Sequence, residues 1–269
     1  QLDADVRGMK ALWGAPSPAM LPSANQAGCL NFNGTSDWVE LPAFTFAPFT
    51  PGFSATFTLE AWVNFESTGA YSRILELCNG WNVDSIILAR DNATNNLGLT
   101  IKGPAGAGVL SAPGVISNGS WMHVAVTFGN VEYGTGWGAP PWRGTATIYI
   151  NGQAVTSGRI VAPYAGGRSI VYLAKSSASW DPLFKGRMAE VRIWTVCRSA
   201  EEIRRDRSRR LLGSENGLVA YHRLNESEGE RVGDASRSLR HGWLRGTADW
   251  NQRAPLPSIS KEGEPGILR

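Results

Sequence analysis

The chain has 269 residues, 42% of them hydrophobic and only 18% charged, with a net charge of +3. So small a charge excess does not point to a nucleic-acid or polyphosphate partner. No apolar run approaches the ~20 residues that a membrane-spanning helix needs, so direct membrane insertion is not expected either.

Strand signals run along most of the chain. Cys29–Phe32 and Trp38–Leu41 flank an Asn33-Gly34-Thr35-Ser36 turn. Phe57–Phe65 (FTLEAWVNF) alternates most cleanly and puts Phe57, Leu59, Ala61, Val63 and Phe65 on one face. Arg73–Leu77, Ser85–Arg90, Leu97–Lys102 and Trp121–Phe128 follow. Thr145–Ile150 then meets Gln153–Thr156 across Asn151-Gly152, the strongest short-range hairpin signal. Ser169–Lys175, Met188–Trp194 and Leu218–Leu224 close the series. Between the last two, Ser199 and Glu202 have capping-box spacing. They predict one helix over Ala200–Leu212, ended by Gly213.

Many short strands and one helix predict an all-β fold: a two-sheet antiparallel jelly-roll sandwich with a short helix near the C-terminal part. No charged or low-complexity break divides the series. The expected organisation is a single domain over residues 23–257. Residues 1–22 read as an N-terminal extension or the end of a preceding unit, and 258–269 as a C-terminal tail. Trp13-Gly-Ala-Pro resembles Trp250-Asn-Gln-Arg-Ala-Pro, and each is followed by Leu-Pro. This suggests one unit of a longer, multi-domain protein or assembly.

The order of CLNFNGTSDWVELP, FTLEAWVNF, GSWMHVAVTF, TIYINGQAV and FKGRMAEVRIW, followed by CRSAEEI, resembles the laminin-G-like, concanavalin A-like jelly-roll family. The resemblance covers about residues 27–203. Domains of this kind usually bind and seldom catalyse. The resemblance also implies a calcium ion at the sandwich edge, a cation that takes six to eight oxygen ligands. Asp37, the Gly34 carbonyl and Glu190 are its candidate ligands, although Ala189 stands where relatives often carry an acid. The alternative is an Asp37 that satisfies its own turn. Antiparallel pairing in such a fold would bring Cys29 beside Cys197 for a disulfide. The alternative is three buried apolar thiols, Cys78 included.

Contact residues are sought among loop aromatics, which offer flat apolar faces to a sugar or a protein. Trp137 and Trp142 lead, on a Gly- and Pro-rich connection from Glu132 to Arg143, with Tyr133 behind them. Trp81 and Trp180 lie on other loops. Against contact stands the habit of loop tryptophans to fold back and plug a sandwich end.

Catalysis has little support. The paired carboxylates of glycosidases on this fold would read E-x-D-x-x-E, and no strand carries that pattern. Glu60 stands among apolar neighbours, Glu76 has no partner at the right spacing, and His123, His222 and His241 form no metal-spaced pair. His123 reads as structural. The arginines Arg204, Arg205, Arg207, Arg209 and Arg210 suit a sulfated glycan; a solvated face balanced by Glu201, Glu202 and Asp206 is the simpler reading.

Asn33, Asn92, Asn118 and Asn225 each begin an N-glycosylation acceptor triplet and favour an extracellular or cell-surface location. The expectation is a non-enzymatic lectin- or adhesion-type module that recognises carbohydrate or an extracellular protein. The alternatives are an architectural domain of a large extracellular glycoprotein assembly and, third, a glycan-active enzyme.

Overall fold

The structure, a computed structural model, describes residues 28–251 except 46–55, 68, 104–105, 133–141 and 165. Its elements in chain order begin with β1 (Cys29–Asn33), β2 (Trp38–Leu41), β3 (Phe44–Thr45), β4 (Phe57–Phe65), β5 (Arg73–Cys78) and β6 (Ile86–Arg90). Then come β7 (Leu97–Gly103), β8 (Gly106–Ala112), β9 (Trp121–Glu132), β10 (Arg143–Ile150), β11 (Gln153–Val161) and β12 (Gly167–Arg168). The chain continues through β13 (Ile170–Leu173), β14 (Lys185–Trp194), α1 (Ala200–Asp206), β15 (Leu218–His222), β16 (Arg231–Val232), β17 (Gly242–Arg245) and β18 (Asp249–Asn251).

Two large antiparallel sheets result. The first has the order β11-β10-β9-β4-β14-β1-β18, with β15 also on β14. The second has the order β16-β17-β2-β13-β5-β6-β7-β8. Their inner faces meet in one apolar core. Phe57, Leu59, Ala61, Val63 and Phe65 of β4 and Val124, Val126 and Phe128 of β9 pack there with Leu75, Leu77, Leu88, Leu97, Leu99 and Ile101. Phe184 is the aromatic pin, edge-on to Phe32 at 6.0 Å and to Phe65 at 5.2 Å. The expected sandwich is what forms.

The Asn151-Gly152 hairpin also forms, with positive φ at both residues, 52° and 81°. This is the signature of the turn whose twist matches that of the strands. The capping box holds as well: the Ser199 hydroxyl accepts from Glu202 N, and the Glu202 carboxylate accepts from Ser199 N.

Three expectations need correction. The helix stops at Asp206, short of Leu212. Side chains from the first sheet claim the carbonyls that another turn would use: Arg192 donates to Asp206 O and Arg209 O, and Trp62 Nε1 to Arg207 O. Second, the chain does not close at Leu224, because β17 pairs with β2 and β18 with β1. These late strands are too short for a periodicity signal. Third, β4 is buried on both faces along its whole length. Glu60, apolar on both sides along the chain, is met there by His123, Arg192 and Arg198 from other segments.

The covering layer explains that burial. Residues 194–213 lie across the outer face of the first sheet, where Arg198 N donates to Thr58 Oγ1 and Thr58 Oγ1 to Val196 O. The second sheet carries no helix on its outer face among the described residues; the loop after β13 covers part of it, where Ser177 N and Oγ donate to buried Glu76. Its outer face carries, in cross-strand register, Trp243, Glu40, Tyr172, Glu76, Ile87, Thr100 and Val109.

Candidate functional site

Trp81 follows β5 and Trp180 follows β13, and the second sheet sets those strands side by side. The two indoles meet edge to face, centroids 5.1 Å apart and planes at 74°. Both are largely open to solvent, Trp81 at 56% and Trp180 at 67% exposure. Exposed Val83 lies on the Trp81 loop. Two large rings are thus held against each other at the surface, rather than against the core.

Polar groups fix both loops. Arg73, buried on β5, donates through Nε to Glu76 at 2.9 Å and through Nη2 to Asp181 at 2.7 Å. Glu76 in turn accepts from the Ser177 amide and hydroxyl, and Asp181 accepts from Ser176 Oγ at 2.8 Å. The Trp180 loop is thus bound down onto β5 from both sides. Asn79 does the same for the Trp81 loop: its Oδ1 accepts from Ser169 N, and its Nδ2 donates to Gly167 O, both at 2.9 Å. Sequence reasoning named the two tryptophans but missed these anchors. The only local signal was charged residues, Arg73 and Glu76, in a strand otherwise apolar.

The remaining predicted contacts divide. Trp142 is half-buried: it packs against the main core, and its carbonyl accepts from Ala162 N. Trp137 and Tyr133 lie outside the described residues.

The calcium ligands do not come together. Asp37 is buried, and its carboxylate already accepts from Asn33 N at 2.9 Å, Ser36 Oγ at 3.0 Å and Thr247 N at 2.8 Å. Gly34 serves the same turn with φ of 79°, its α-carbon packed against Lys185. Glu190 sits elsewhere, at an irregularity in β14 with φ of 53°, where it accepts from Arg192 Nη2 at 2.9 Å and from the Tyr221 hydroxyl. Carboxylates engaged by N–H and O–H donors do not fit a cation cage. Among the described residues, no three His, Cys, Asp or Glu side chains are grouped to hold a metal ion.

The expected disulfide is also corrected. Cys29 lies opposite the middle of β14, whereas Cys197 follows the end of that strand and sits beside Gly129 of β9. At strand spacing this is on the order of 20 Å, far beyond disulfide reach. All three thiols are free. Of the acceptor asparagines, Asn225 is only 3% exposed and leaves no room for a glycan, which removes it. Asn33 and Asn118 are exposed but hydrogen-bonded, Asn33 Oδ1 accepting from Thr35 N and Ser36 N and Asn118 Oδ1 from Arg90. Asn92 is exposed at a turn with φ of 54°.

Beneath α1 lies a buried ionic cluster. Arg198 donates through Nη1 to Glu60 Oε1 at 2.7 Å and through Nη2 to Asp206 Oδ2, and its guanidinium stacks 4.0 Å from the Trp194 ring. Burial pushes the Glu60 carboxyl up, but His123 beside it and the Arg192 and Arg198 charges outweigh that and hold it at about 2. Burial pushes His123 below its ordinary 6.5, which keeps the ring neutral. The arginines expected on an open helix face are partly spent here: Arg205 and Arg209 pair with Asp206, and Arg210 is buried.

Residues 33–204 match the laminin G type family model described as the concanavalin A-like lectin/glucanases superfamily. The chain belongs to that superfamily. No curated protein matches it. Among solved structures of the same fold is a Bacteroides ovatus protein described as a candidate carbohydrate-binding protein, at 20% identity and TM-score 0.58. That match covers 87% of this chain and 62% of the other, so the present chain spans less than two thirds of that relative. Domain 4 of the Geobacillus stearothermophilus arabinanase AbnA, in complex with arabinotriose, matches at 21% identity and TM-score 0.49, over 65% of this chain and 74% of its own. The Ruminococcus gnavus sialidase CBM40 bound to α2,3-sialyllactose matches at 14% identity and TM-score 0.46, over 66% and 96%. Within this superfamily fold, α1 and its flanks occupy the outer face of one sheet. The exposed tryptophan pair belongs to loops of the other.

Proposed function

We propose that the protein is a carbohydrate-recognition module that binds without chemistry, with Trp81 and Trp180 as its contact surface. One observation carries this reading: two solvent-exposed indoles in mutual contact, on loops tied to the sheet by a buried Arg73–Glu76–Asp181 network. Rigid rings lose little entropy on contact, and flat apolar faces suit the C–H faces of sugars. The family and the carbohydrate-binding relatives are consistent with this use. Recognition rather than hydrolysis is supported by the fate of two strand carboxylates, Glu60 and Glu190. Both are buried beneath the helix layer against Arg192, where a substrate has no access. An extracellular setting belongs to the same proposal, supported by the exposed Asn92 acceptor.

The test is glycan-array binding of the wild type, Trp81→Ala and Trp180→Ala, each checked for an unchanged melting temperature. Each substitution is expected to weaken binding about tenfold or more, the loss of one stacked ring. Glycan binding that survives both substitutions overturns the site.

A further inference from the structure

Asn-Gly pairs occur five times, at Asn33, Asn79, Asn118, Asn151 and Asn216. In such a pair the glycine nitrogen, with no β-carbon beside it, can reach the preceding side-chain amide. We infer that Asn216 is a deamidation site of the folded protein, converting without an enzyme to aspartate and isoaspartate, and that the fold protects the other four.

The chemistry needs only water. The Gly217 nitrogen loses its proton and bonds to Asn216 Cγ; the Cγ–Nδ2 bond breaks, and ammonia leaves carrying a proton. Water then opens the succinimide. Attack at Cγ gives aspartate, and attack at the main-chain carbonyl gives isoaspartate, whose backbone runs through Cβ and Cγ.

Ring closure swings the side chain onto the next nitrogen, so a hydrogen bond that holds either group opposes it. Asn33 Oδ1 accepts from Thr35 N and Ser36 N, and its Nδ2 donates to Ser36 Oγ. Asn79 is tied to Ser169 N and Gly167 O, and Asn151 Oδ1 accepts from His123 N at 2.9 Å. At Asn118 both groups are held: Oδ1 accepts from Arg90 Nη2 at 2.6 Å, and Gly119 N donates to Phe65 O at 2.7 Å. Asn216 differs. It is exposed, and among the described residues neither its side chain nor the Gly217 N–H has a hydrogen-bond partner. The glycine is imposed by the fold: its φ is 80°, and a Cβ there would lie 2.7 Å from Val196.

The site matters to the strand that follows. Leu218 N closes the turn on Glu215 O at 3.1 Å, and Thr195 N donates to Gly217 O at 2.8 Å. Isoaspartate lengthens the main chain inside that turn, and either product adds a carboxylate next to Glu215. Since the register of β15 with β14 begins at Leu218 opposite Trp194, deamidation loosens the return of the chain to the first sheet.

The experiment ages the intact chain in mildly alkaline buffer and follows its peptides by mass spectrometry for the gain of about 1 Da that exchange of ammonia for water leaves. A protein-isoaspartate methyltransferase reads the isoaspartate. The Asn216 peptide should change at least about fivefold faster than the other four, the factor set by one hydrogen bond broken before ring closure. In urea that lead should disappear. Asn216→Gln should remove the early product and most methyl acceptance, and aged wild type should melt below aged Asn216→Gln. Another Asn-Gly pair reacting first, equal rates in the folded protein, or an unchanged Asn216 after a time in which the urea-unfolded chain reacts overturns the site. Aged wild type that melts with the variant overturns the loosening of β15.

Discussion

Arg198 donates to Glu60 at 2.7 Å across 138 residues of sequence, and the same guanidinium holds Asp206 on α1. One side chain thereby fastens the helix layer to the middle of the first sheet. The arrangement is closed: Arg192, Glu190, His123 and Tyr221 fill the space around it, and none faces solvent. The outer face of the first sheet is closed there.

Removing one partner of this buried pair strands the other. Arg198→Ala is expected to cost about 3–5 kcal/mol, read from the urea midpoint. Adding Glu60→Gln to it should cost less than the sum of the single changes, because the orphaned charge is gone. A loss below about 1 kcal/mol for Arg198→Ala would remove the cluster from the stabilising contacts.

Acid should unfold the protein in two stages. His123 and His222 are buried, and burial lowers both below their ordinary 6.5. The unfolded chain therefore takes up protons first, and stability declines as pH falls below 6.5. Glu60, held at about 2 against an ordinary 4.5, contributes stability that is complete above 4.5 and is lost as pH falls towards 2. Melting temperatures across this range should show both declines. In Glu60→Gln, the slope below 4.5 should flatten relative to wild type; an unchanged slope would contradict the assignment.

Thiol reactivity should separate the three cysteines. Burial pushes the Cys29 thiol up to about 12 and raises Cys78 as well. Cys197 is also raised, but its residue is exposed. Iodoacetamide at pH 8 should therefore modify Cys197 first in the native protein and all three in denaturant, as mass spectrometry will show. Equal labelling of Cys29 and Cys197 in the folded state would contradict the packing of β1.

Asp37 is expected to act as a turn anchor. Asp37→Ala leaves Asn33 N and Thr247 N without their acceptor and should cost about 1–3 kcal/mol. The wild-type melting temperature should be the same in calcium and in chelator, since a cation bound only to the folded state must raise it. A calcium-dependent rise that Asp37→Ala abolishes would restore the metal site.

By itself the sequence determined what is local. Alternation over Phe57–Phe65 marks a strand, Asn151-Gly152 a hairpin, and Ser199 with Glu202 a helix start, because each depends on neighbours within a few residues. Their order carried the sandwich and the superfamily with it. Whatever depended on contacts between distant segments was left to the tertiary structure. The helix ends early because Arg192 and Trp62, from other strands, take its last carbonyls. Glu60 looked isolated because Arg192 and Arg198 reach it only after folding. Trp142, on the loop that looked most open, is half-buried against the core, while Trp81 and Trp180, scattered in sequence, are joined by the pairing of β5 with β13. Periodicity reports which face of an element is apolar. Only the packed sheets decide which loops meet at their edges and which side chains the helix layer hides.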